Sequence, residues 1–175
     1  MDVKFWKDEG SFKLRVCGVL KYGDKYLVSN CDNCEFYSFP GGHVVLGEST
    51  DDAVVREVRE ETLIDAKISK LLAVEQLFFK REDGKPFHEI CYYYEMTTDQ
   101  KVDTEDFSVE ENDNGRTRNH YFRWLEIDDF ETIDLRPHSM KNILKNNLEL
   151  QHLLRYENWV YDNISIMNWH DKGEY

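Results

Sequence analysis

The segment from Gly41 to Ile64, GGHVVLGESTDDAVVREVREETLI, limits what this chain can become more than any other part of it. If its second half is a helix, Glu57, Glu60 and Glu61 lie at spacings of three and four residues. At about 100° per residue, their carboxylates then share about 100° of arc on one face. Like charges at these spacings oppose helix formation by about 0.2–0.5 kcal/mol per pair. Some other group must therefore offset the repulsion.

The same segment carries the signals of a loop followed by a helix. Ser49 or Thr50 can cap the helix, and two aspartates follow in the first turn, where the helix dipole favours negative charge. Val54 and Val58 point to one side, toward a sheet. The glutamates are displaced from this apolar stripe by about 120°, so they face a cleft or solvent. Three carboxylates on one face suit a hard divalent cation, and the alternative is a solvated, charge-rich helix face.

The remaining pattern predicts a sheet and one more helix. Alternation, or enrichment in aromatic and branched residues, predicts strands in FKLRVCGVL, DKYLVSN, LLAVEQLFF, FHEICYYYEM and HYFRWLEI. The third and fourth of these form a predicted hairpin, and CEFYSFP is expected to be extended up to Pro40. The acidic segment from Thr97 to Asn119 is predicted to be a long surface loop. SMKNILKNNL, which follows Pro137, is predicted to be a helix.

The composition favours a single soluble domain over residues 1–175. A chain of this length that is 41% hydrophobic can bury one core and is short for two. It has no apolar run of about 20 residues and no signal-peptide core, so we expect no membrane span and a cytoplasmic location. The formal net charge of −13 argues against nonspecific binding to nucleic acid or to anionic membranes.

The four cysteines are expected to be free thiols in a reducing compartment. A domain with an adequate core does not need a disulfide framework. Cys31 and Cys34 have the spacing of a zinc knuckle, but the chain offers no second pair at ligand spacing. Cys17 and Cys91 lie in apolar strand patterns.

A longer pattern surrounds the glutamates. A glycine, five residues, a glutamate, seven residues and then REVREE resemble the Nudix box. The matching residues are Gly42, Glu48, Arg56, Glu57, Val58, Glu60, Glu61 and Ile64. The resemblance covers residues 12–148 and leaves the role of the C-terminal segment 149–175 open.

The resemblance implies a fold and an activity. The fold would be a Nudix-type α/β/α sandwich with a mixed β-sheet, and the box would span residues 42–64. The activity would be metal-dependent pyrophosphohydrolysis, in which metal-activated water attacks a phosphorus of a nucleoside diphosphate linked to another moiety. The alternative is a catalytically silent nucleotide-binding or regulatory module. The partner would be a small nucleotide-type molecule. Which derivative it is, which residues bind it, and whether the chain forms a homodimer stay open.

The resemblance also implies roles for individual residues. Glu57, Glu60 and Glu61 would bind Mg²⁺ or Mn²⁺, with the Gly42 carbonyl as a further ligand. Arg56 would orient the glutamates. Structural support of the box would come from Gly41, Gly47 and Glu48.

The general base is open between a box glutamate and an acid from a later loop. We favour Glu110 among four acidic residues of the segment after Thr97, namely Glu105, Asp106, Glu110 and Glu111.

Leu63 stands where the family pattern has a glycine that ends the helix. Glycine is favoured there because it accepts left-handed dihedral angles. Leucine in the same backbone would be strained by about 1–2 kcal/mol. We therefore expect the helix to end differently, with a small shift in the following loop.

Overall fold

The computed structural model describes residues 1–32, 34–113 and 116–157. Its elements in chain order are β1 (Lys4–Trp6), β2 (Ser11–Tyr22), β3 (Lys25–Cys31), α1 (Thr50–Thr62), β4 (Lys67–Lys80), β5 (Pro86–Thr97), β6 (Phe107–Asp113), β7 (Arg116–Glu126), a 3-10 helix (Ile127–Thr132), α2 (Ser139–Lys145) and β8 (Gln151–Glu157). No helix in these described ranges is long and apolar enough to cross a membrane.

The strands form one mixed sheet in the order β6-β7-β3-β2-β5-β4-β8, and β1 pairs with the start of β2. The β2–β5 and β4–β8 pairs are parallel, and the other pairs are antiparallel. The predicted hairpin of β4 and β5 is confirmed. The two parallel pairs make the sheet mixed, as the resemblance to the Nudix family implied.

Helices cover both faces of this sheet. On one face, Val54 and Val58 of α1 are fully buried in a cluster with Val16 and Trp124 from the strands. On the other face, the 3-10 helix and α2 bury their apolar side chains in a second cluster with Val28. Because each face has its own apolar cluster, the architecture is an α/β/α sandwich, and the predicted fold class is confirmed.

The loop before α1 lies between two diverging strands. β2 and β3 pair only at their turn, through Lys21 with Tyr26 and Tyr22 with Lys25. Beyond the turn, residues 40–44 run alongside β2: Gly18 N donates to the Pro40 carbonyl at 2.8 Å and Val16 N to the Gly42 carbonyl at 3.0 Å. The split in the sheet therefore places the glycine pair of this loop directly beside β2.

The prediction of a long loop from Thr97 to Asn119 is wrong. Strands β6 and β7 form an antiparallel hairpin that begins at Phe107, and the connecting loop before it covers only residues 98–106. The Phe107 and Phe122 rings stack at 4.8 Å, and Val109 packs against the α1-side cluster. Apolar side chains alternate with exposed polar ones in this strand, and the high acidity of the segment hid that period-two pattern.

The expectation of four free thiols is also wrong for one pair. Cys31 and Cys34 form a disulfide, with their Cα atoms 5.4 Å apart. The chain turns at the end of β3, where Cys34 N donates to the Cys31 carbonyl at 3.0 Å. This turn brings the two side chains within bridging distance. Cys17 and Cys91 are buried free thiols, with their sulfurs 3.6 Å apart.

Part of the C-terminal segment joins the sheet. Strand β8 adds a parallel edge to β4, with Ala73 opposite Gln151 and Phe79 opposite Glu157. The aromatic stretch NWVYDNISIMNW, which follows, lies outside the described residues.

Candidate functional site

Helix α1 begins where its capping residue predicts. The Ser49 hydroxyl accepts a hydrogen bond from the Asp52 backbone N–H at 3.1 Å and donates to the Asp52 carboxylate at 2.7 Å. The Tyr94 hydroxyl of β5 lies 2.7 Å from the Thr50 hydroxyl and donates to the Asp51 carboxylate at 2.6 Å. Burial, and then the Asp51 carboxylate, raise the pKa of Tyr94 to about 12. The first turn is thereby fixed to the sheet.

Arg56 is the cation that the glutamate pattern requires. Its guanidinium holds Glu48 with two bonds, Nε to Oε1 and Nη2 to Oε2, both at 2.8 Å. Its Nη1 donates to Glu57 Oε1 at 2.8 Å and to Glu60 Oε2 at 3.1 Å. Its Nη2 also donates to the His43 carbonyl at 3.1 Å. One arginine therefore offsets the repulsion on the helix and ties the helix to the preceding loop.

The electrostatic consequence differs among the acids. The bonds from Arg56 lower the pKa of Glu48 to about 2, and Glu48 raises the pKa of Arg56 above its usual range. Burial raises the pKa of Glu57, although Arg56 opposes this. The side chain of Glu57 is 15% exposed, whereas that of Glu60 is 61% exposed. Glu57 is therefore fixed in the site, and Glu60 stands at its rim.

The glycine pair allows the loop to approach the carboxylates closely. A Cβ on Gly42 would lie 2.3 Å from Glu57 Oε2, and a Cβ on Gly41 would lie 2.1 Å from the Val16 carbonyl oxygen. Gly41 N–H donates to Glu61 Oε2 at 2.9 Å. No other residue fits at either position, because an added Cβ would overlap the neighbouring atoms.

The remaining support residues lie in the turn before the helix. Gly47 has a φ of 87°, a left-handed conformation that favours glycine. Glu48 follows it and accepts the Val45 N–H at 3.0 Å, in addition to the bonds from Arg56. The turn is therefore held by the same carboxylate that holds the arginine.

The carboxylates fit a hard cation by their chemistry. Glu57 and Glu60 already approach one positive charge, the Arg56 Nη1. Within the described part of the chain, no three acidic, histidine or cysteine side chains are placed to hold a metal ion in this conformation. Glu61 is turned toward the Gly41 N–H instead. Oxygen donors of this kind suit Mg²⁺ or Mn²⁺, and the side chains would have to converge to share one ion.

The expected shift at Leu63 does not occur. Leu63 takes the left-handed conformation itself, with φ 61° and ψ 18°, and its N–H donates to the Arg59 carbonyl at 2.9 Å. Its side chain is exposed, with a relative accessibility of 72%. The backbone of the box therefore ends as a glycine would end it, and the leucine carries the strain.

The candidate bases lie in β6, which is an edge strand of the sheet, and in the loop that precedes it. Glu110 is exposed in β6, and because its neighbour Val109 packs toward α1, alternation directs Glu110 to the other face. Asp106 accepts a bond from Arg123 Nε at 3.2 Å, and Glu105 lies in the loop before β6. The side chain of Glu111 lies outside the described residues. The role of Glu110 stays a prediction.

Three contacts of the site were not anticipated. Arg15 of β2 donates through Nη2 to the Gly41 carbonyl at 3.3 Å, the His43 carbonyl binds Arg56, and Tyr94 binds the first turn of α1. Burial, and then the nearby cations, lower the pKa of His43 to about 4, so its ring is neutral near pH 7. The only signal for Arg15 was a charged residue inside an apolar strand, FKLRVCGVL.

Comparison with known proteins places this geometry in a family. The NUDIX domain model matches residues 14–146. The ADP-ribose pyrophosphatase of Methanocaldococcus jannaschii is 39% identical over 62 residues, which are 34% of this chain and 37% of that protein. The chain thus aligns with little more than a third of that relative's length.

Solved structures with low sequence identity share the fold. The MutT protein from Bacillus halodurans has a TM-score of 0.56 and 18% identity, with coverage of 82% of this chain and 86% of that one. A NUDIX hydrolase from Nitrosomonas europaea also has a TM-score of 0.56, at 15% identity, with coverage of 84% and 79%. Because the family model spans most of the sequence and includes the whole box, the chain belongs to the NUDIX domain family.

Proposed function

We propose that this protein is a metal-dependent pyrophosphohydrolase that cleaves a nucleoside diphosphate linked to another moiety. The observation that carries the proposal is the cluster around Arg56, whose guanidinium lies 2.8 Å from Glu48, 2.8 Å from Glu57 and 3.1 Å from Glu60. A diphosphate can approach such a cluster of acids only if cations stand between them. Membership of the NUDIX domain family supports the same activity.

Glu57, Glu60 and Glu61 would hold Mg²⁺ or Mn²⁺, with the Gly42 carbonyl as a further oxygen ligand. Glu60 is mostly exposed, so its side chain can turn toward an ion without loss of packing. Glu61 would exchange its bond with the Gly41 N–H for the ion. When bound, the metal supplies Lewis-acid polarisation of a phosphoryl oxygen and lowers the pKa of a coordinated water.

The protein's own groups would position the reaction. Glu48 fixes Arg56, and Arg56 restrains the carboxylates of Glu57 and Glu60. The absent side chain of Gly42 leaves room for the Glu57 carboxylate. Glu110 projects from the sheet face opposite α1, so it would act as general base for the attacking water only if the β6–β7 hairpin moves toward the carboxylates when substrate binds. The contacts of Glu48 and Arg56 fix the loop against helix α1 before substrate binds, which reduces the reorganisation needed during catalysis.

The test is hydrolysis of a substrate panel with Mg²⁺, with Mn²⁺ and with EDTA. We expect turnover with either metal and none in EDTA, and ¹⁸O-labelled water should label one phosphate product. Glu57→Gln and Glu61→Gln should lower kcat by orders of magnitude, whereas Glu131→Gln, a change at an exposed glutamate of the 3-10 helix, should not. Undiminished turnover in EDTA would overturn the metal assignment.

The first compounds in the panel are ADP-ribose, nucleotide sugars and dinucleoside polyphosphates. ADP-ribose comes first because the relative that aligns over 62 residues is an ADP-ribose pyrophosphatase. Oxidised nucleoside triphosphates and capped RNA ends complete the panel. The compound with the highest kcat/KM identifies the substrate class.

The general base is tested separately. Glu110→Gln should lower kcat by about 10²–10⁴-fold and remove the acidic limb of the pH–rate profile. Glu105→Gln and Asp106→Asn are the matched controls, since both are exposed acids of the preceding loop. If one of these controls loses activity instead, that residue is the base.

The alternative, a silent nucleotide-binding module, has less support. The feature that favoured this alternative was Leu63, which departs from the family pattern. Because Leu63 keeps the left-handed helix end and its bond to the Arg59 carbonyl, the substitution leaves the backbone of the box in place. Tight binding of a nucleotide without turnover under any metal condition would favour the module.

A further inference from the structure

Arg15 is a partly buried cation on a central strand of the sheet. It lies on β2, opposite Cys91 of β5, and its backbone forms an isolated antiparallel bridge with His43. Its Nη2 donates to the Gly41 carbonyl at 3.3 Å, a weak contact. Its Nε is buried with no hydrogen-bond partner in the structure. Among the residues that the structure describes, no carboxylate lies within 4 Å of its guanidinium.

Two acids are nevertheless near enough to attract this charge. Glu57 of the box and Glu89 of β5 both interact electrostatically with Arg15. Neither forms an ion pair with it in the described part of the chain. Glu57 instead binds Arg56. Arg15 is therefore held beside the box without being neutralised by it.

His43 presents a second unsatisfied group at the same place. Directly opposed residues of an antiparallel bridge project their side chains to the same face, with Cβ atoms about 4.5–5.5 Å apart. His43 Nε2 is buried and has no hydrogen-bond partner in the structure, while its Nδ1 lies 3.9 Å from an Asp2 oxygen. Two residues that face each other across this bridge therefore each have a buried nitrogen without a hydrogen-bond partner among the described residues.

Leaving such groups unpaired is costly. A buried polar atom without a hydrogen bond, and a buried charge without a partner, both destabilise the fold. In native structures such groups are explained by strain, by a catalytic role, or by a water molecule or ion that completes the bonding. An arginine fork matches two oxygens of one phosphate group. The ligand that fits is therefore an anion with phosphate-like oxygens.

We propose that Arg15, with His43, forms an anion subsite that binds one phosphate of the diphosphate substrate beside the box carboxylates. The proposal rests on the proposed function, because it assigns a role in that same site. Arg15 and the box meet at Gly41, whose carbonyl accepts from Arg15 and whose N–H donates to Glu61. Glu57 also interacts electrostatically with Arg15, so a diphosphate bound at the metal ligands would extend past Gly41 toward the guanidinium.

The test uses inorganic pyrophosphate as the probe. Its Kd for the 175-residue chain with Mg²⁺ is measured by calorimetry for wild type, Arg15→Gln and Lys13→Gln. Glutamine retains a donor for the Gly41 carbonyl but loses the charge. We expect Arg15→Gln to weaken binding by about 10- to 100-fold, because a charge-assisted hydrogen bond is lost.

Lys13→Gln is the matched control. Lys13 lies two residues away on the same face of β2, where its ammonium stands over the Trp6 and Phe87 rings at 5.7 Å and 5.4 Å. The Lys13→Gln substitution removes the same unit of charge as Arg15→Gln. We expect it to weaken pyrophosphate binding by less than about threefold, because only long-range attraction is lost. Equal losses for both variants would overturn the subsite, because net charge would then explain the effect.

Kinetics and a conservative variant separate binding from structure. For Arg15→Gln, KM for the best panel substrate should rise together with the pyrophosphate Kd. Arg15→Lys keeps the charge but lacks the two parallel donors of the guanidinium, so its pyrophosphate Kd should lie between those of wild type and Arg15→Gln. If Arg15→Gln does not fold, Arg15→Lys decides, and wild-type affinity in it would overturn the proposal.

The outcome is distinguishable from that of the proposed function. If no compound is hydrolysed but Arg15→Gln still weakens pyrophosphate binding, the subsite stands and the hydrolase proposal fails. If turnover is found and Arg15→Gln retains both Kd and KM, the subsite fails and the hydrolase proposal stands.

Discussion

Arg56 and Glu48 form a two-bond ion pair that joins helix α1 to the loop before it, with Nε–Oε1 and Nη2–Oε2 both at 2.8 Å. The two residues are eight positions apart, and only the turn at Gly47 brings them together. A parallel pair of charged hydrogen bonds fixes both distance and orientation. The loop and the helix are therefore expected to move as one unit.

Glu48→Gln should make the stability of the protein less dependent on acid. The pKa of Glu48 is about 2 in the folded protein and close to 4.5 in the unfolded chain. A lowered folded pKa gives stability that is present above pH 4.5 and is lost as the pH falls toward 2. Since the pair is partly exposed, we expect a loss of about 1–2 kcal/mol at pH 7.

Urea unfolding of wild type and Glu48→Gln between pH 2 and pH 7 measures this effect. The difference between the two proteins should shrink below about pH 4.5 as the wild-type carboxyl becomes protonated. Glu131→Gln, at an exposed position, is the control and should follow wild type. A constant difference at all pH values would contradict the pair as its source.

Glu60→Gln should change the stability of the metal-free protein by less than about 0.5 kcal/mol. The variant loses the ion pair with Arg56, which is 3.1 Å long and largely exposed, and it also relieves repulsion from Glu57. These two effects oppose each other. Activity should fall by orders of magnitude because a metal ligand is removed.

Thermal melting with and without Mg²⁺ checks the second half of this expectation. Mg²⁺ should raise the Tm of wild type, because it binds only the folded state, and should raise that of Glu60→Gln much less. A loss of several kcal/mol in metal-free Glu60→Gln, with equal stabilisation of both proteins by Mg²⁺, would show that Glu60 is a structural partner of Arg56.

Leu63→Gly should stabilise the protein by about 0.5–1 kcal/mol. The left-handed conformation at φ 61° strains leucine and suits glycine, and the exposed leucine side chain contributes little burial. The greater freedom of glycine in the unfolded chain offsets part of the gain. Chemical denaturation measures the difference, and kcat should stay unchanged.

Leu63→Ala is the control for this prediction. Alanine also has a Cβ, so it keeps the strain and should bring no gain. If alanine and glycine stabilise equally, removal of the exposed leucine side chain is the cause, and left-handed strain is not.

Arg155→Leu should destabilise the protein by several kcal/mol, because it leaves a buried carboxylate without its cation. Glu75 of β4 is 2% exposed, and Arg155 of β8 approaches it with Nε at 3.2 Å and Nη2 at 3.4 Å. The Tyr93 hydroxyl also donates to Glu75, at 3.2 Å. Denaturant unfolding gives the loss.

A second substitution distinguishes the lost pair from a poor fit of leucine. Glu75→Gln in the Arg155→Leu background removes the buried charge that Arg155 offsets in the wild type and should recover part of the stability. Arg155→Lys should be milder than Arg155→Leu because it keeps a cation. No loss in any of these variants would show that the C-terminal strand does not stabilise the domain.

The sequence predicted the parts of the site that depend on local geometry. The helix cap is Ser49, one of the two residues predicted for that role from their hydroxyl side chains. The burial of Val54 and Val58 and the proximity of Arg56 to Glu60 follow from the fixed rotation of a helix. The hairpin of β4 and β5 followed from its apolar runs and polar turn. These features are confirmed because each involves residues that are close in the chain.

The sequence did not predict features that depend on competing or distant interactions. The many acidic residues of the segment that forms β6 favoured a loop prediction, although its apolar residues alternate as in a strand. No local pattern showed that Cys31 and Cys34 share a turn. At Leu63 the penalty for a left-handed leucine suggested a different helix end. The packing of α1 and its hydrogen bonds kept the turn in spite of that penalty, which is small compared with the interactions that hold the helix.

By itself the sequence determined that three glutamates and an arginine share one helix face, because 3.6 residues per turn leave no other arrangement. Only the tertiary structure decided what meets that face. Glu61 reaches the Gly41 N–H across 20 residues, and Arg15 reaches the Gly41 carbonyl across 26. Both contacts exist because β2 and β3 diverge and admit the glycine loop between them. The divergence of β2 and β3 depends on the packing of the whole sheet against its two helical layers. A residue pattern confined to one segment therefore cannot predict it.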